Sequence, residues 1–414
     1  MRILLIHQYF LEKNDPGGSR FNEMTKVWEE QGVQVTVLAG MIHANASKKA
    51  SQYQGKYFVC DQYSENIEVI RCHVSESYNV NFLGRLWGYF SFVFYSIWAG
   101  LFKAKGKYDL VLVTSPPLFV GITAYVVSRI KRIPYVFEIR DLWPESAIDT
   151  GVVTNGVIIK LAYWLEAFLY KKAKLINVLT PAFRDALLTK KNVPASKIIY
   201  IPNAADFSLS EELLNSFDAK TFRAELGIAE DQFVITYVGA HGVANHLIQL
   251  IEVAEAMRET KLLFLLIGDG MQRKMLMEEA AQRGLSNIRF VASVPKREVF
   301  KYILASNMGA SVLKNVDTFK TVYSNKTFDY MACKKPILMA IDGVSRALVE
   351  EANAGVYVIP EQVNDYVEKI STYMKNPDLL KQQGESGYAY AKNSFDRQKL
   401  ALTYLAHLKE VAHV

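Results

Sequence analysis

Lys326 and Asp329 stand three residues apart in the stretch Asp317–Pro336, DTFKTVYSNKTFDYMACKKP, which begins polar, turns amphipathic and stops at a basic turn. Phe328 and Met331 share one helical face there, leaving Lys326, Asp329 and Tyr330 to look elsewhere. A cation and a carboxylate at a helix start suit a ligand with phosphates and a ribose diol. The positive helix end and Lys326 attract phosphate, while Asp329 accepts hydroxyl hydrogens. The plainer alternative is a surface helix with an ordinary ion pair, so the rest of the chain has to decide.

Two glycine-punctuated loops, Gly239/Gly242 and Gly268/Gly270, follow successive strands of the C-terminal half and fall on the same sheet edge. Each offers backbone N–H groups and a positive helix end to one crevice, which suits a diphosphate; His241, Asn245, Arg273 and Lys274 are donors nearby. Near the N-terminus Gly17 and Gly18 let the backbone approach a ligand just before a helix, and Arg20 adds a cation. That pair is not a G-x-G-x-x-G fingerprint, and a plain turn is its simpler reading. At the end of the strand IPYVFEIR comes Arg140-Asp141-Leu142-Trp143-Pro144-Glu145-Ser146. Beside the alternative of a buried Arg–Asp pair, this loop reads as an acceptor site. Asp141 and Glu145 would handle sugar hydroxyls, Trp143 would offer a stacking face, and Arg140 would hold a carboxylate or phosphate.

No Asp-x-Asp occurs, and no His/Cys/Asp cluster has metal-ligand spacing, so leaving-group charge falls to backbone dipoles and Lys326. Neither a P-loop nor Gly-x-Ser-x-Gly is present, which disfavours nucleotide and ester hydrolysis.

The elements that must position these residues alternate short β-rich runs with helical patterns, the mark of parallel βαβ units. With 414 residues, half of them hydrophobic, the chain is long enough for two α/β domains. Residues 1–203 form the first, with a hinge at Pro202-Asn203. The second spans 204–389, and the terminal helix, about 390–414, packs back on the first. Residues 41–80 read as irregular apart from a strand at Ile67–Arg71, and Ser208–Lys220 as wandering chain. The run Leu86–Phe102 falls just short of a bilayer span. It reads either as a buried core helix or as a helix whose aromatic face dips into a membrane interface while flanking lysines meet anionic headgroups. The helix Val157–Lys174 has aromatic residues on one side and lysines at its end.

The net charge of +6 and pI near 8.9 are modestly basic, with short lysine and arginine runs that fit an anionic membrane surface. No nucleic-acid-binding signature accompanies them. Three cysteines, Cys60, Cys72 and Cys333, without paired spacing, disfavour a disulfide framework and favour a reducing compartment. The apolar run Ile3–Ile6 is a strand length rather than an export signal.

The order HQYF…PGGSRF, EIRDLWPES, IPNAAD, YVGAHG, IGDG, RFVASVP and SNKTFDYMACKKPI resembles glycosyltransferase family 4, of the GT-B fold, across nearly the whole chain. DLWPES and NKTFDYMA are similar to the bacterial surface-polysaccharide branch acting on N-acetylated or 6-deoxy hexosamines, such as N-acetyl-fucosamine-type transferases. The resemblance implies two Rossmann-like domains facing a central crevice and a retaining, metal-independent transfer without cofactor. It also implies a nucleotide-diphosphate sugar donor, UDP first, and a lipid-linked acceptor in O-antigen, capsule or exopolysaccharide synthesis. The protein would then work in the cytoplasm, peripheral on the inner face of the bacterial plasma membrane, touching it through residues 82–107.

Carried over by the resemblance, Asp329 binds the ribose, Asn325 and Lys326 lie near the diphosphate and sugar, and the backbone of Val291 and Ala292 recognises the base. Gly17 and Gly18 approach the donor phosphates, and Asp141 contacts donor sugar or acceptor. Asp141, Glu145 and Lys326 are the catalytic candidates. Two positions depart from the family. Thr321 stands where the first acid of its paired-acid motif belongs, and the Arg/Lys pair after the first C-terminal strand is replaced by the His241–His246 region, which leaves Arg273, Lys274 or Lys326 to carry phosphate charge. Two other readings keep the fold: a nucleotide-sugar 2-epimerase, which needs no acceptor, and a non-catalytic membrane-bound scaffold that binds nucleotide sugar without transferring it.

Overall fold

The computed structural model describes residues 1–13, 20–42, 49–79, 82–149 and 153–413. Gly17 and Gly18 lie outside the described residues. The chain forms two compact units, Met1–Pro202 with Gln398–Val414, and Asn203–Arg397.

Unit 1 holds strands β1 (Arg2–Ile6), β2 (Gln34–Gly40), β3 (Phe58–Ser64), β4 (Ile67–Cys72), β5 (Leu110–Ser115), β6 (Tyr135–Ile139), β7 (Leu175–Val178) and β8 (Ile198–Tyr200). They lie in the order β3-β4-β2-β1-β5-β6-β7-β8. Every pairing is parallel except β3 on β4. Inner strands such as LVLVTS are buried along their whole length, as expected of a parallel sheet covered by helices on both faces. Strand β3 corrects the reading of 41–80 as irregular. None of its residues FVCDQYS, on a sheet edge, is buried, so they carry no apolar run to announce it.

Unit 2 holds β9 (Phe233–Val238), β10 (Leu262–Ile267), β11 (Ile288–Val291), β12 (Met308–Val312), β13 (Ile337–Ala340) and β14 (Gly355–Tyr357), ordered β11-β10-β9-β12-β13-β14 and all parallel. The stretch Ser208–Lys220 does not wander. It belongs to helices Phe207–Ser216 and Ala219–Glu225, each opened by an aspartate, Asp206 or Asp218, whose carboxylate accepts backbone N–H groups of the first turn.

The helix Pro377–Ser394 stays in unit 2, and the chain returns to unit 1 with the helix Arg397–Ala412. There Trp28 Nε1 donates to the Ala401 carbonyl at 2.8 Å, and Tyr404 meets the Trp28 ring edge-on.

The aromatic helix runs from Phe82 to Trp98 and continues as a π-helical turn to Lys103. One face is buried through Phe92, Ser96 and Ala99 against the helix Val120–Lys131, where Ser96 Oγ and Thr123 Oγ1 lie 2.8 Å apart. The opposite face is open: Trp87 and Phe94 are each 63% exposed and Trp98 50%. Among the described residues no helix is long and apolar enough to cross a membrane.

Candidate functional site

In unit 2, β9 is followed at once by Gly239 (φ 141°) and β10 by Gly268 (φ 145°), with Gly270 (φ 156°) close behind, all in backbone conformations that L side chains rarely adopt. The two loops are tied to each other. The N–H of Gly239 donates to Ile267 O (3.0 Å), that of His241 to Asp269 O (2.8 Å), and that of Gln272 back to His241 O (2.9 Å). Gly268 N–H reaches Val291 O (3.0 Å), and Gly270 N–H reaches Asp269 Oδ1 (2.7 Å). Most backbone donors that these loops were expected to offer a ligand are thus spent on the protein, and so is the Val291 carbonyl. Gly242 has ordinary φ, and a methyl there would touch only Asn245 Oδ1 at 3.5 Å, so nothing local requires glycine.

What remains available is the helix Asn325–Ala332. The N–H of Thr327 bonds Ser324 O at 3.1 Å, helix geometry gives the N–H groups of Asn325 and Lys326 before it no intrahelical acceptor, and Ser324 makes no side-chain cap. Lys326 folds back from this end over β9: its Nζ sits 4.7 Å from the centre of the Tyr237 ring and 3.4 Å from Ser324 Oγ, and its Cε packs on Gly239. The ordinary ion pair with Asp329 does not form. Burial pushes the Lys326 ammonium down to about 8, with the Asp329 charge acting in the opposite direction. Burial likewise pushes Asp329 up to about 6, opposed chiefly by Lys296, which is itself paired with Asp206 at 2.7 Å. Both side chains are half-buried, so water solvates their charges less well than at the open surface.

Tyr330, expected to look away from the Phe328/Met331 face, is itself fully buried. Its ring lies against Gly309 and its hydroxyl donates toward the carbonyls of Thr236 and Ala310. Asn325 is exposed at the helix start, and the Thr321 hydroxyl donates to Thr318 O at 2.7 Å. His241 is buried beside Phe290, neither ring nitrogen has a partner, and burial and then the neighbouring Arg273 push it down to about 4. Lys274 does not face this cluster; it is 89% exposed and reaches Glu278 on its own helix at 3.7 Å. Ala292 is exposed just beyond β11. Gly239, Gly268, Val291, Arg273 and Lys326 thus come together at adjoining strand ends, with His241 in their midst.

In unit 1, Arg20 is not a free cation for phosphate. It is buried, its Nε bonds Glu138 at 3.2 Å, and its other nitrogens bond the carbonyls of Ile201 (2.7 Å) and Pro202. Asn177 completes the knot with bonds to Glu138 (2.9 Å) and Ile201 N–H (2.8 Å). Glu145 is likewise not a free carboxylate: Lys191 Nζ lies 2.7 Å from it and 2.6 Å from Glu166. Asp141 stays half-buried, its carboxyl raised by burial and by Glu145 against hydrogen bonds from Ser146 and the Leu142 backbone. Arg140 Nη1 lies 3.5 Å from His7 Nε2, and burial followed by the charges of Arg140 and Arg71 keeps that imidazole neutral.

The glycosyl transferase 4-like domain family matches residues 17–204, and the glycosyl transferases group 1 family matches residues 218–390. The two together take in most of the chain. It is a glycosyltransferase. WcaI of Escherichia coli, which carries the name of a colanic acid biosynthesis glycosyl transferase, is 24% identical over 65% of this chain and 68% of its own. The alpha-D-kanosaminyltransferase of Streptomyces kanamyceticus is 22% identical over 63% of this chain and 67% of its own. Among solved structures, Anabaena HepE in complex with UDP superposes with a TM-score of 0.70 at 17% identity, over 99% of this chain and 100% of that one. WaaG, a glycosyltransferase involved in lipopolysaccharide biosynthesis, gives 0.69 at 16% identity over 98% of each. The glycosyltransferase has the GT-B fold.

The residues of this transferase that its sequence does not announce are partners at a distance. Glu138 lies 118 positions from Arg20, and Lys191 lies 46 from Glu145, so no spacing rule links them. Tyr237, under Lys326, reads from sequence as one more strand residue. His241 did carry a signal, a lone histidine between two loop glycines.

Arg20→Met tests the buried knot. It leaves the Glu138 carboxylate unpaired in the core, which costs about 3–5 kcal/mol. Differential scanning fluorimetry should show a midpoint lower by about 10 °C; an unchanged midpoint would mean that Arg20 is available to a ligand after all.

Proposed function

We propose that this glycosyltransferase moves a hexose-type sugar, N-acetylated or 6-deoxy, from a nucleotide-diphosphate donor to a lipid-linked saccharide in surface-polysaccharide assembly. The observation that carries the donor half is the Lys326 ammonium, half-buried without a carboxylate partner at the start of a helix. A diphosphate there gains both the charge and the first helical N–H groups. Asp329 takes the ribose hydroxyls, and the exposed Ala292 backbone is the nearest reader of the base. Uridine is the first choice because HepE is solved with UDP and with UDP-glucose. WcaI and WaaG, named for colanic acid and lipopolysaccharide, support the polysaccharide setting.

The transfer is read as retaining and metal-independent. The acceptor oxygen bonds the anomeric carbon on the face that the diphosphate leaves, the bond from that carbon to the diphosphate oxygen breaks, and the leaving phosphate takes the acceptor proton. Lys326 stabilises the charge that develops on the diphosphate. Glu145, paired with Lys191, drops out of the catalytic set, while Asp141 remains the acceptor-side candidate.

For the acceptor, the aromatic helix supports contact with the membrane. Its open face leads by ring contacts from Phe90 to Phe119 (5.0 Å) and from Phe119 to Trp143 (5.5 Å), into the loop that carries Asp141. A lipid-linked sugar held at the interface would meet that loop.

A thermal-shift panel of nucleotide sugars tests the donor assignment, because a ligand that binds only the folded state raises the midpoint with occupancy. A UDP-sugar should raise it several degrees more than its GDP, ADP or dTDP counterparts. Donor alone should yield no isomer, and donor with a lipid-linked acceptor should yield product. Isomer formation without acceptor would replace the transferase reading by the epimerase, and tight binding without any transfer would replace it by the scaffold.

A further inference from the structure

Unit 1 contains a cavity of about 710 Å³ between the helix Gly156–Lys172 and the segment Lys190–Lys197 that follows the helix Pro181–Thr189. Its volume lies within the range of small-molecule sites, roughly 300–1,000 Å³. All of its lining residues belong to unit 1, and nothing in the transfer chemistry proposed above uses it.

Four lysines line it against two glutamates, Glu145 and Glu166. Lys191 is fixed between both glutamates, and Lys197 donates to the carbonyls of Lys171 and Ala173 at 2.9 and 3.0 Å. Lys171 and Lys190 stand exposed at the rim with no ion pair among the described residues. The charge surplus is positive, and burial pushes Glu166 up to about 7, which enlarges that surplus as pH falls. Such a cavity favours a phosphate ester.

The same helix says where that phosphate comes from. Val157, Leu161 and Trp164 recur on one face at helical spacing and are exposed, Trp164 by 65%. Tyr163, at the cavity, is exposed beside them. Phe168 of this helix touches Tyr125 of the neighbouring helix Val120–Lys131, which in turn packs on the aromatic helix. An apolar row that can enter an interface thus runs alongside a cationic cavity.

We propose that this cavity receives the glycerophosphate headgroup of an anionic lipid, while the Val157–Trp164 row seats in the interface around it. The proposal rests on the membrane-contact reading above, and it adds a specific headgroup site to it. Through Lys191 the site also touches Glu145, the first residue of the short helix after the Asp141 loop.

The test is vesicle flotation of the full chain with phosphatidylcholine alone and with added phosphatidylglycerol. The unmodified protein should bind the anionic vesicles about tenfold more tightly or better. Ala167→Trp, which fills the cavity without changing charge, and the rim double variant Lys171→Gln/Lys190→Gln, at exposed positions that folding tolerates, should lose that preference and still bind weakly. Trp164→Ser should weaken binding to both vesicle types. Glycerol 3-phosphate in solution should bind at millimolar concentration, and Ala167→Trp should abolish its thermal shift.

Full anionic preference in both cavity variants would reduce the effect to diffuse surface charge and overturn the site while leaving membrane contact standing. Micromolar binding of glycerol 3-phosphate without any vesicle preference would assign the cavity to a free phosphate ester and overturn the lipid. Failure to float with any vesicle would sink both readings.

Discussion

Lys326→Met should lower transfer by about a hundredfold or more, the usual loss when one preorganised stabiliser of developing charge is removed, and should at the same time raise the thermal midpoint. The second effect follows from the first residue property. Burial moves the ammonium from its ordinary 10.5 down to about 8. A lysine lowered in the folded state contributes stability only where it is neutral, and that contribution is lost as pH falls through about 8. At pH 7 the charged form therefore works against folding, by about 3 kcal/mol at 1.36 kcal/mol per unit. Methionine keeps the stem packed on Gly239 and Tyr237 and removes the charge.

Asp329→Asn should behave in the same way on stability. A carboxylate raised from 3.8 to about 6 contributes stability below its ordinary value and loses it as pH rises through about 6, so at pH 7 its ionised form is also a cost. The dependence of kcat/KM on pH should accordingly fall on the acid side near 6 and on the alkaline side near 8. Scanning fluorimetry with initial rates decides the matter. A Lys326→Met protein that is no more stable than the parent, and keeps more than a tenth of its turnover, would remove this lysine from the site. Activity lost together with stability would mark it as structural.

How much of this was legible beforehand depended on where each residue's partner lies in the chain. The helix that carries Lys326 and Asp329 and the glycine-punctuated loops after β9 and β10 were legible because helix spacing and turn composition are local properties, set within a few residues. The parallel α/β architecture was legible because fully buried strands must be continuous apolar runs. Arg20 and Glu145 were misread as free ligand groups because their neutralising partners arrive from other strands and helices. Strand β3 was missed because an exposed edge strand needs no hydrophobic pattern. The burial of Tyr330 was not legible for a different reason. Its helix is packed on nearly every side, with Thr327, Phe328, Tyr330, Met331 and Ala332 all buried, and Gly309 of β12 supplies the space for the ring. Periodicity assumes one solvent face, and this helix does not have a broad one.

The glycines allow a comparison in which the two possible reasons for glycine predict different measurements. If Gly268 were there to let a ligand's phosphate approach the backbone, Gly268→Ala would raise KM and leave the fold intact. The structure gives another reason. A methyl at Gly268 would stand 1.9 Å from the Gly239 carbonyl oxygen, at a φ of 145° that a side chain already resists, and one at Gly270 would meet the His241 backbone at 2.6–2.9 Å. These obstacles are backbone atoms held by the bonds from Gly239 to Ile267 and from His241 to Asp269, so they cannot swing aside. Gly268→Ala should therefore cost about 4 kcal/mol or more, within the exceptional class of single substitutions, and show as a midpoint lowered by more than 8 °C or as insoluble protein. Gly242→Ala, in the partner loop, with ordinary φ and only a 3.5 Å contact, should stay within about 1 kcal/mol. Equal stability in the two variants would return both glycines to a direct role at the phosphates. A large gap between them would mean that Gly268 holds the two loops together, and that the positive site depends on this interlock to set Gly239 beneath Lys326.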